Sequence, residues 1–130
     1  MKALVYDGSL NFVSDYPMPE PEEGQVLLKI LLAGICNTDR EVLKGYRPNF
    51  HGVLGHEFLA EIVDGEHAGQ RVVGELNDGC GHCDYCKTGR EHHCLERKVP
   101  GMAGRDGCFA EYMAYPKRLL HFVPETLSDE

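Results

Sequence analysis

The amino-acid sequence predicts a mainly β fold, either a barrel or a sandwich of short strands. Short apolar or alternating runs make up most of the chain. Turn signals that contain glycine, such as DGE at 64–66 and GRDG at 104–107, separate these runs. Only one segment has a helical pattern. Many short strands divided by glycine turns are typical of all-β barrels and sandwiches.

The predicted elements follow one another with little between them. Six runs are predicted to be strands: KALVYDG (2–8), VLLKILLAGIC (26–36), FLAEIV (58–63), RVVGEL (71–76), CFAEYMAY (108–115) and LLHFVP (119–124). The segment PMPEPEEG at 17–24 is predicted to be a surface connection. TDREVLKG at 38–45 is predicted to be a short helix that begins with Thr38 and Glu41 at capping-box spacing. The final LSDE is typical of a helix start that does not continue, so we expect the chain to end at a domain boundary of a longer protein.

Composition narrows the possible partners and location. At 130 residues the chain has the size of one domain and can fold without cross-links. Thirteen basic and twenty-one acidic residues give a net charge of −8, which repels nucleic acid and anionic lipid. No apolar run approaches the ~18 residues of a membrane span, and the first residues lack the features of a leader peptide. We therefore expect a cytoplasmic protein with neither a nucleic-acid nor a membrane partner.

The stretch CGHCDYCKTGREHHC at 80–94 is predicted to be a metal site. Its cysteines have the spacing C-x2-C-x2-C-x7-C: Cys80, Cys83, Cys86 and Cys94. In a reducing compartment such clusters bind metal more often than they form disulfides, and four thiolates complete the tetrahedral shell of structural zinc. An iron–sulfur cluster would place the fourth cysteine after three residues, before a proline. His82, His92 and His93 are alternative ligands, but surface histidines are more typical of a polar loop. Because four sulfurs leave no open position, the loop at about 77–97 is predicted to be structural.

A second candidate site lies elsewhere in the chain. Cys36 ends a predicted strand just before Thr38, and His56 with Glu57 begins another strand. Either residue alone has an ordinary explanation, because a buried cysteine packs like a small apolar residue and most histidines are structural. Neighbouring strand side chains point to opposite faces, so Glu57 would face away from a metal on His56 or act from behind the ligand. The residues alone therefore do not decide between a metal site and ordinary structural roles for Cys36 and His56. Cys108 is expected to pack in the barrel.

The joint order of these motifs resembles one known family. The motifs that carry this resemblance are, in order, GICNTDRE, GHE, the four-cysteine loop and GCFAEY. Over residues 1–130 the chain resembles the catalytic domain of the zinc-dependent alcohol dehydrogenases, in the medium-chain dehydrogenase/reductase superfamily. The resemblance implies a GroES-like β-barrel with short helices and a zinc-binding loop. It also implies that the full-length enzyme has a Rossmann domain for NAD or NADP, forms a homo-oligomer and oxidises an alcohol, polyol or sugar hydroxyl. No G-x-G-x-x-G occurs in these residues, so no cofactor-binding residue is assigned here.

The resemblance also assigns roles to individual residues. Cys36 and His56 would be ligands of the catalytic zinc, Glu57 the adjacent acid that ligates it transiently, and the four loop cysteines the ligands of the structural zinc. Thr38 would hydrogen-bond the substrate hydroxyl and begin a proton relay. Glu41 stands where many members have a histidine that completes the relay, and a carboxylate can accept a proton there. The TDRE form resembles the glucose dehydrogenase branch.

A third protein ligand of the catalytic zinc is expected beyond Glu130, so the isolated chain is predicted to be inactive. Two other functions are compatible with parts of the sequence. A zinc-stabilised GroES-like binding module without redox activity would need only the fold, but it leaves Cys36, His56 and Glu57 unexplained. A zinc-free reductase of the same superfamily is disfavoured by the cysteine loop and by GHE.

Overall fold

A computed structural model describes residues 1–129 and confirms the mainly β fold. The strands are β1 (Ala3–Tyr6), β2 (Leu10–Val13), β3 (Gln25–Gly34), β4 (Gly52–Val53), β5 (Glu57–Ile62), β6 (Arg71–Gly74), β7 (Val99–Pro100), β8 (Gly104–Arg105), β9 (Tyr112–Pro116) and β10 (Leu120–Phe122). The helices are α1 (Asn37–Leu43), α2 (Asp84–Lys87) and two 3₁₀ turns, Glu91–His93 and Lys117–Leu119. None of the described helices is long and apolar enough to cross a membrane.

The strands form two larger sheets that join into one curled wall. A five-stranded antiparallel sheet has the order β10-β6-β5-β3-β9, and a three-stranded sheet has the order β2-β1-β4. The segment 109–111 connects them: Leu4 N–H donates to the Phe109 carbonyl at 2.8 Å, and Ile30 N–H donates to the Glu111 carbonyl at 3.0 Å. A short parallel pair, β7 and β8, completes the β structure of the described residues.

The core lies inside this wall in two clusters. The larger cluster is centred on Leu28, Val72 and Tyr115, all with no exposed surface. Phe58 packs edge-on against Tyr115 with ring centroids 5.4 Å apart, the arrangement that aromatic quadrupoles favour. The second cluster includes Val42 of α1, which fixes the helix to the wall. The face of α1 that carries the candidate site is therefore held by core packing.

The predicted elements are confirmed with changed bounds. All six predicted strands are present, but the strand predicted at 108–115 begins only at Tyr112, because 109–111 bridges the two sheets. The strand predicted at 26–36 ends at Gly34, so Cys36 lies outside it. The connection at 17–24 has no strand or helix. No helix begins at Ser128 in the described residues, and Glu130 lies outside them.

The predicted helix cap is wrong. The helix begins one residue earlier than expected, with Cys36 at the N-cap position. Asp39, three residues on, accepts the Cys36 backbone N–H at 2.8 Å, whereas Glu41 contacts Lys44. Asp39 stands at the N3 position of the helix, which a capping-box acid normally occupies. Its carboxylate is also buried against His56, directly before β5.

Candidate metal centres

The four loop cysteines converge on one point. Their sulfur atoms all lie within 4.8 Å of one another, with Cys80 and Cys86 Sγ 3.9 Å apart. Cys94 is buried and the other three are partly buried. The Cys80 backbone N–H points at Cys94 Sγ over 3.4 Å, an orientation that stabilises a thiolate. The structure therefore brings together all four residues that the spacing predicts.

Local backbone features shape this loop. Asp78 and Lys98 close its base, because each donates its N–H to the carbonyl of the other, at 3.0 and 2.9 Å. Between them, α2 and a 3₁₀ turn carry the chain around the sulfur atoms. A Cβ on Gly79 would lie 2.7 Å from Cys86 Sγ, so only glycine lets the chain pass this sulfur.

Charged residues tie the metal loop to the barrel. The Asp78 carboxylate forms ion pairs with Arg105 and Arg118, and the Asp78 and Arg105 side chains are about nine-tenths buried. Arg118 also donates to the Gly79 carbonyl at 3.1 Å and lies 3.5 Å from Glu91. Because a buried pair that loses one partner is strongly destabilised, this network fixes the position of the loop relative to β8, which contains Arg105, and to the 3₁₀ turn that contains Arg118.

The donor set fits zinc. All six cysteines are free thiols, so the cluster is not a disulfide pair. Zn–S bonds of about 2.3 Å in a tetrahedron place sulfur atoms about 3.8 Å apart, close to the 3.9 Å between Cys80 and Cys86. Desolvation and then the neighbouring thiols raise the pKa of Cys86 to about 12, while a backbone N–H from Gly81 acts in the opposite direction. A bound cation would offset the cost of gathering four thiolates at one point, because it stabilises every thiolate around it.

A second cluster joins Cys36, His56 and Glu57. Their ligand atoms also lie within 4.8 Å of one another. Of the two alternatives for Glu57, facing away is not observed, because His56 precedes β5 and strand alternation does not apply across that boundary. The alternative in which Glu57 acts from behind a ligand stays a prediction. Gly34 faces Glu57 in the β3–β5 pair, and a Cβ there would lie 2.7 Å from Glu57 Oε2. Glycine at this position thus leaves room for the carboxylate beside the other two groups.

Two irregularities of the backbone aim these side chains. One extra residue in β3, between Ile30 and Leu32, shifts the register with β5 and changes which face the end of β3 presents. Gly55 has a φ of +93°, and a Cβ there would lie 2.4 Å from the Phe109 ring. This left-handed residue turns the chain just before His56, which is 9% exposed.

Asp39 is a site residue that the sequence analysis missed. Its side chain is 5% exposed, and its Oδ1 lies 3.2 Å from His56 Nδ1. Neither of these buried atoms has a hydrogen-bond partner by strict geometry, and each is the other's ion-pair neighbour. Because a carboxylate accepts, this contact favours the tautomer with the proton on Nδ1 and leaves Nε2 free to bind a metal. The available signal was its place three residues after Cys36, where an acid accepts the Cys36 N–H.

The proposed relay residues differ in their placement. Thr38 Oγ1 lies 3.6 Å from Cys36 Sγ, so its hydroxyl is beside the second cluster. The Glu41 carboxylate is instead bonded to Lys44 at 2.8 Å and is partly exposed. Cys108 packs in the core as expected, and burial raises its pKa to about 12. Its thiol donates to the Glu57 carbonyl at 3.4 Å, which supports the start of β5.

A curled β wall that carries a four-sulfur loop and a separate Cys-His-Glu cluster defines a class of metal-binding β-barrel domains. Residues 22–125 match the sequence family described as the alcohol dehydrogenase GroES-like domain. The chain belongs to this family, as the sequence resemblance implied.

Two relatives show the range of the family. L-threonine 3-dehydrogenase of Streptomyces avermitilis is 41% identical over 143 residues, which cover 98% of this chain and 41% of that protein. Sorbitol dehydrogenase of Halalkalibacterium halodurans is 37% identical over 140 residues, which cover 99% of this chain and 40% of that protein. The chain therefore spans about two-fifths of the length of these relatives.

Solved structures have the same fold. A short-chain alcohol dehydrogenase, RspB, from Escherichia coli CFT073 in complex with NADH superposes with a TM-score of 0.88 at 33% identity, covering 99% of this chain and 40% of that one. The D-arabinose dehydrogenase of Sulfolobus solfataricus gives a TM-score of 0.80 at 33% identity, and the match covers 98% of this chain and 41% of that one. The GroES-like fold is thus confirmed.

Proposed function

We propose that residues 1–130 form the catalytic domain of a zinc-dependent oxidoreductase that transfers hydride from an alcohol, polyol or sugar hydroxyl to NAD or NADP. The observation that carries this proposal is the Cys36, His56 and Glu57 cluster, which a purely structural domain would not need. The four-sulfur loop accounts for a structural zinc, and this second cluster accounts for a catalytic one with fewer protein ligands. A site with fewer ligands keeps a position for substrate.

The family resemblance implies a role for each side chain at the second cluster. Cys36 and His56 would hold the zinc, with Glu57 as an adjacent acid that ligates it transiently. Zinc bound there would supply Lewis acidity that lowers the pKa of the substrate hydroxyl. Thr38 can accept the hydroxyl proton and donate its own, since a hydroxyl does both. Its position 3.6 Å from Cys36 Sγ supports this role.

Glu41 is the proposed next acceptor of that proton. Its partly exposed carboxylate lies on the same helix as Thr38, one turn further on, and bonds to Lys44. A proton delivered there would reach solvent directly.

The nicotinamide cofactor would be bound by a nucleotide-binding domain outside these residues. The length of the relatives supports this, as does the NADH in the E. coli structure. Ile35, directly before Cys36, is 77% exposed, and Leu32 and Phe12 are also exposed. An apolar surface beside a catalytic site is suited to contact with a second domain. A homo-oligomeric state and a cytoplasmic location remain predictions.

The test uses the full-length protein and counts metal and turnover together. We expect two zinc ions per subunit, reduction of NAD or NADP with a polyol, sugar or hydroxy amino acid, and loss of one zinc and of turnover in Cys36→Ser. Cys83→Ser should instead remove the other zinc and increase proteolysis of the metal loop. The isolated residues 1–130 should hold about one zinc and reduce neither cofactor. A full-length protein with one zinc and no reduction would indicate a binding module instead.

A further inference from the structure

A third group of metal-binding side chains lies on the outer side of the metal loop. The ligand atoms of Cys80, His82 and Glu96 lie within 4.8 Å of one another. Cys80 belongs to the four-sulfur cluster as well, whereas the His82 and Glu96 side chains are 74% and 70% exposed. One sulfur therefore connects a partly buried cluster with a nitrogen and an oxygen that solvent ions can reach.

The orientation of His82 suits a metal ligand. Its Nδ1 lies 3.0 Å from the Cys80 carbonyl, and a carbonyl can only accept, so Nδ1 carries a proton. In the neutral ring the lone pair then lies on Nε2, which is 3.5 Å from Glu96 Oε2. A ring nitrogen that donates to a backbone carbonyl while the other faces outward is the usual arrangement of metal-binding histidines.

We propose that Cys80, His82 and Glu96 form an uptake site through which zinc reaches and leaves the four-sulfur cluster. This inference rests on the structural zinc site proposed above. A hydrated cation would bind first to the exposed Glu96 and His82, in a protein whose net charge of −8 attracts cations. Cys80 would then replace a water ligand and pass the ion to the other three sulfurs. The thiol protons go to solvent and no electron is transferred.

Such a site changes rates and not the equilibrium. Because the ion passes the same groups in both directions, their loss slows binding and release equally and leaves the dissociation constant unchanged. A residue that merely supports the loop would change the dissociation constant instead. This difference separates an uptake site from a structural contribution of the same side chains.

The test uses Co²⁺, whose bonds to thiolates absorb in the near ultraviolet. Metal-free, reduced protein with Cys36→Ser, so that only the loop takes up metal, is mixed with Co²⁺ in a stopped-flow instrument. His82→Ala and Glu96→Gln should each slow uptake, and release to a chelator, on the order of tenfold. His92→Ala, which removes an exposed histidine of the same loop outside the three-residue group, should change neither rate. All variants should still bind one Co²⁺.

Three results would overturn the proposal. Equal rates in all variants would mean that His82 and Glu96 form an ion pair only. A weaker dissociation constant with an unchanged uptake rate would indicate a supporting role. If the Cys36→Ser parent binds no Co²⁺ at all, the four-sulfur site itself fails and the uptake site fails with it.

Discussion

Asp39→Asn should weaken metal binding at the second cluster while leaving the four-sulfur cluster intact. Asp39 is 3% exposed, and each of its two oxygens faces a different group of the second cluster. One lies 3.2 Å from His56 Nδ1 and the other accepts the Cys36 backbone N–H at 2.8 Å. Asparagine keeps the shape but offers only one acceptor, so it can satisfy only one of these two donors.

The magnitude follows from which donor is lost. If the amide oxygen stays on Cys36, its NH₂ faces His56 Nδ1 and moves the ring proton to Nε2, where it competes with the metal. Disrupting such a partner costs about 10–100-fold in metal affinity, or about 1.4–2.8 kcal/mol. If the amide turns over, the Cys36 N–H is left unpaired in a half-buried position, at a cost of about 1–3 kcal/mol of stability.

The assay is a chelator competition on zinc-loaded full-length protein. The zinc of the four-sulfur cluster serves as an internal reference, and only the more weakly held zinc should leave at lower chelator concentration. Glu41→Gln is the matched control, because it removes the same charge from α1 at a carboxylate that pairs with Lys44 and is not part of the second cluster. An unchanged competition midpoint in a folded Asp39→Asn protein would refute the role of Asp39 in orienting His56.

Three further predictions concern the barrel. Gly55→Ala should lower the free energy of unfolding by about 2–5 kcal/mol, because alanine is strained at this left-handed φ and its Cβ would overlap the Phe109 ring. Gly65 also has a positive φ but lies in open space, so Gly65→Ala should lower the free energy of unfolding only by the cost of the backbone strain. Equal urea midpoints for the two variants would contradict this reasoning. Asp78→Ala should lower the free energy of unfolding by about 3–5 kcal/mol and make the metal loop more sensitive to protease, because Arg105 loses its buried partner. Unchanged proteolysis would exclude a role of Asp78 in anchoring the loop. Burial raises the pKa of Tyr115 from 10.0 to about 12, so the folded state holds its proton more tightly and stability should fall as pH rises from 10 to 12. Urea unfolding of Tyr115→Phe should show a smaller fall in the free energy of unfolding between pH 10 and 12. An identical pH dependence in both proteins would contradict the raised pKa of Tyr115.

The sequence could predict features whose partners lie close together in the chain. The metal loop is one, because its four ligands fall within 80–94 and their spacing alone indicates a shared ion. The longer strands are another, because β3 and β5 have enough apolar residues for the pattern to appear. Strands of two residues such as β4 and β7 have too few positions for any periodicity, and they form through pairing with distant segments: β4 pairs with β1, and β7 pairs with the equally short β8.

Asp39 shows why the rest of the site could not be predicted. The local pattern offered Thr38 and Glu41 as a capping pair, and both have suitable side chains. Asp39 takes the capping position because His56, seventeen positions away, faces it with both side chains buried, and a buried carboxylate needs more than one partner. One of its oxygens therefore begins helix α1 and the other orients a candidate ligand at the start of β5. Any change that shifts α1 must then also shift His56, so the helix cap and the proposed catalytic metal site should lose their order together.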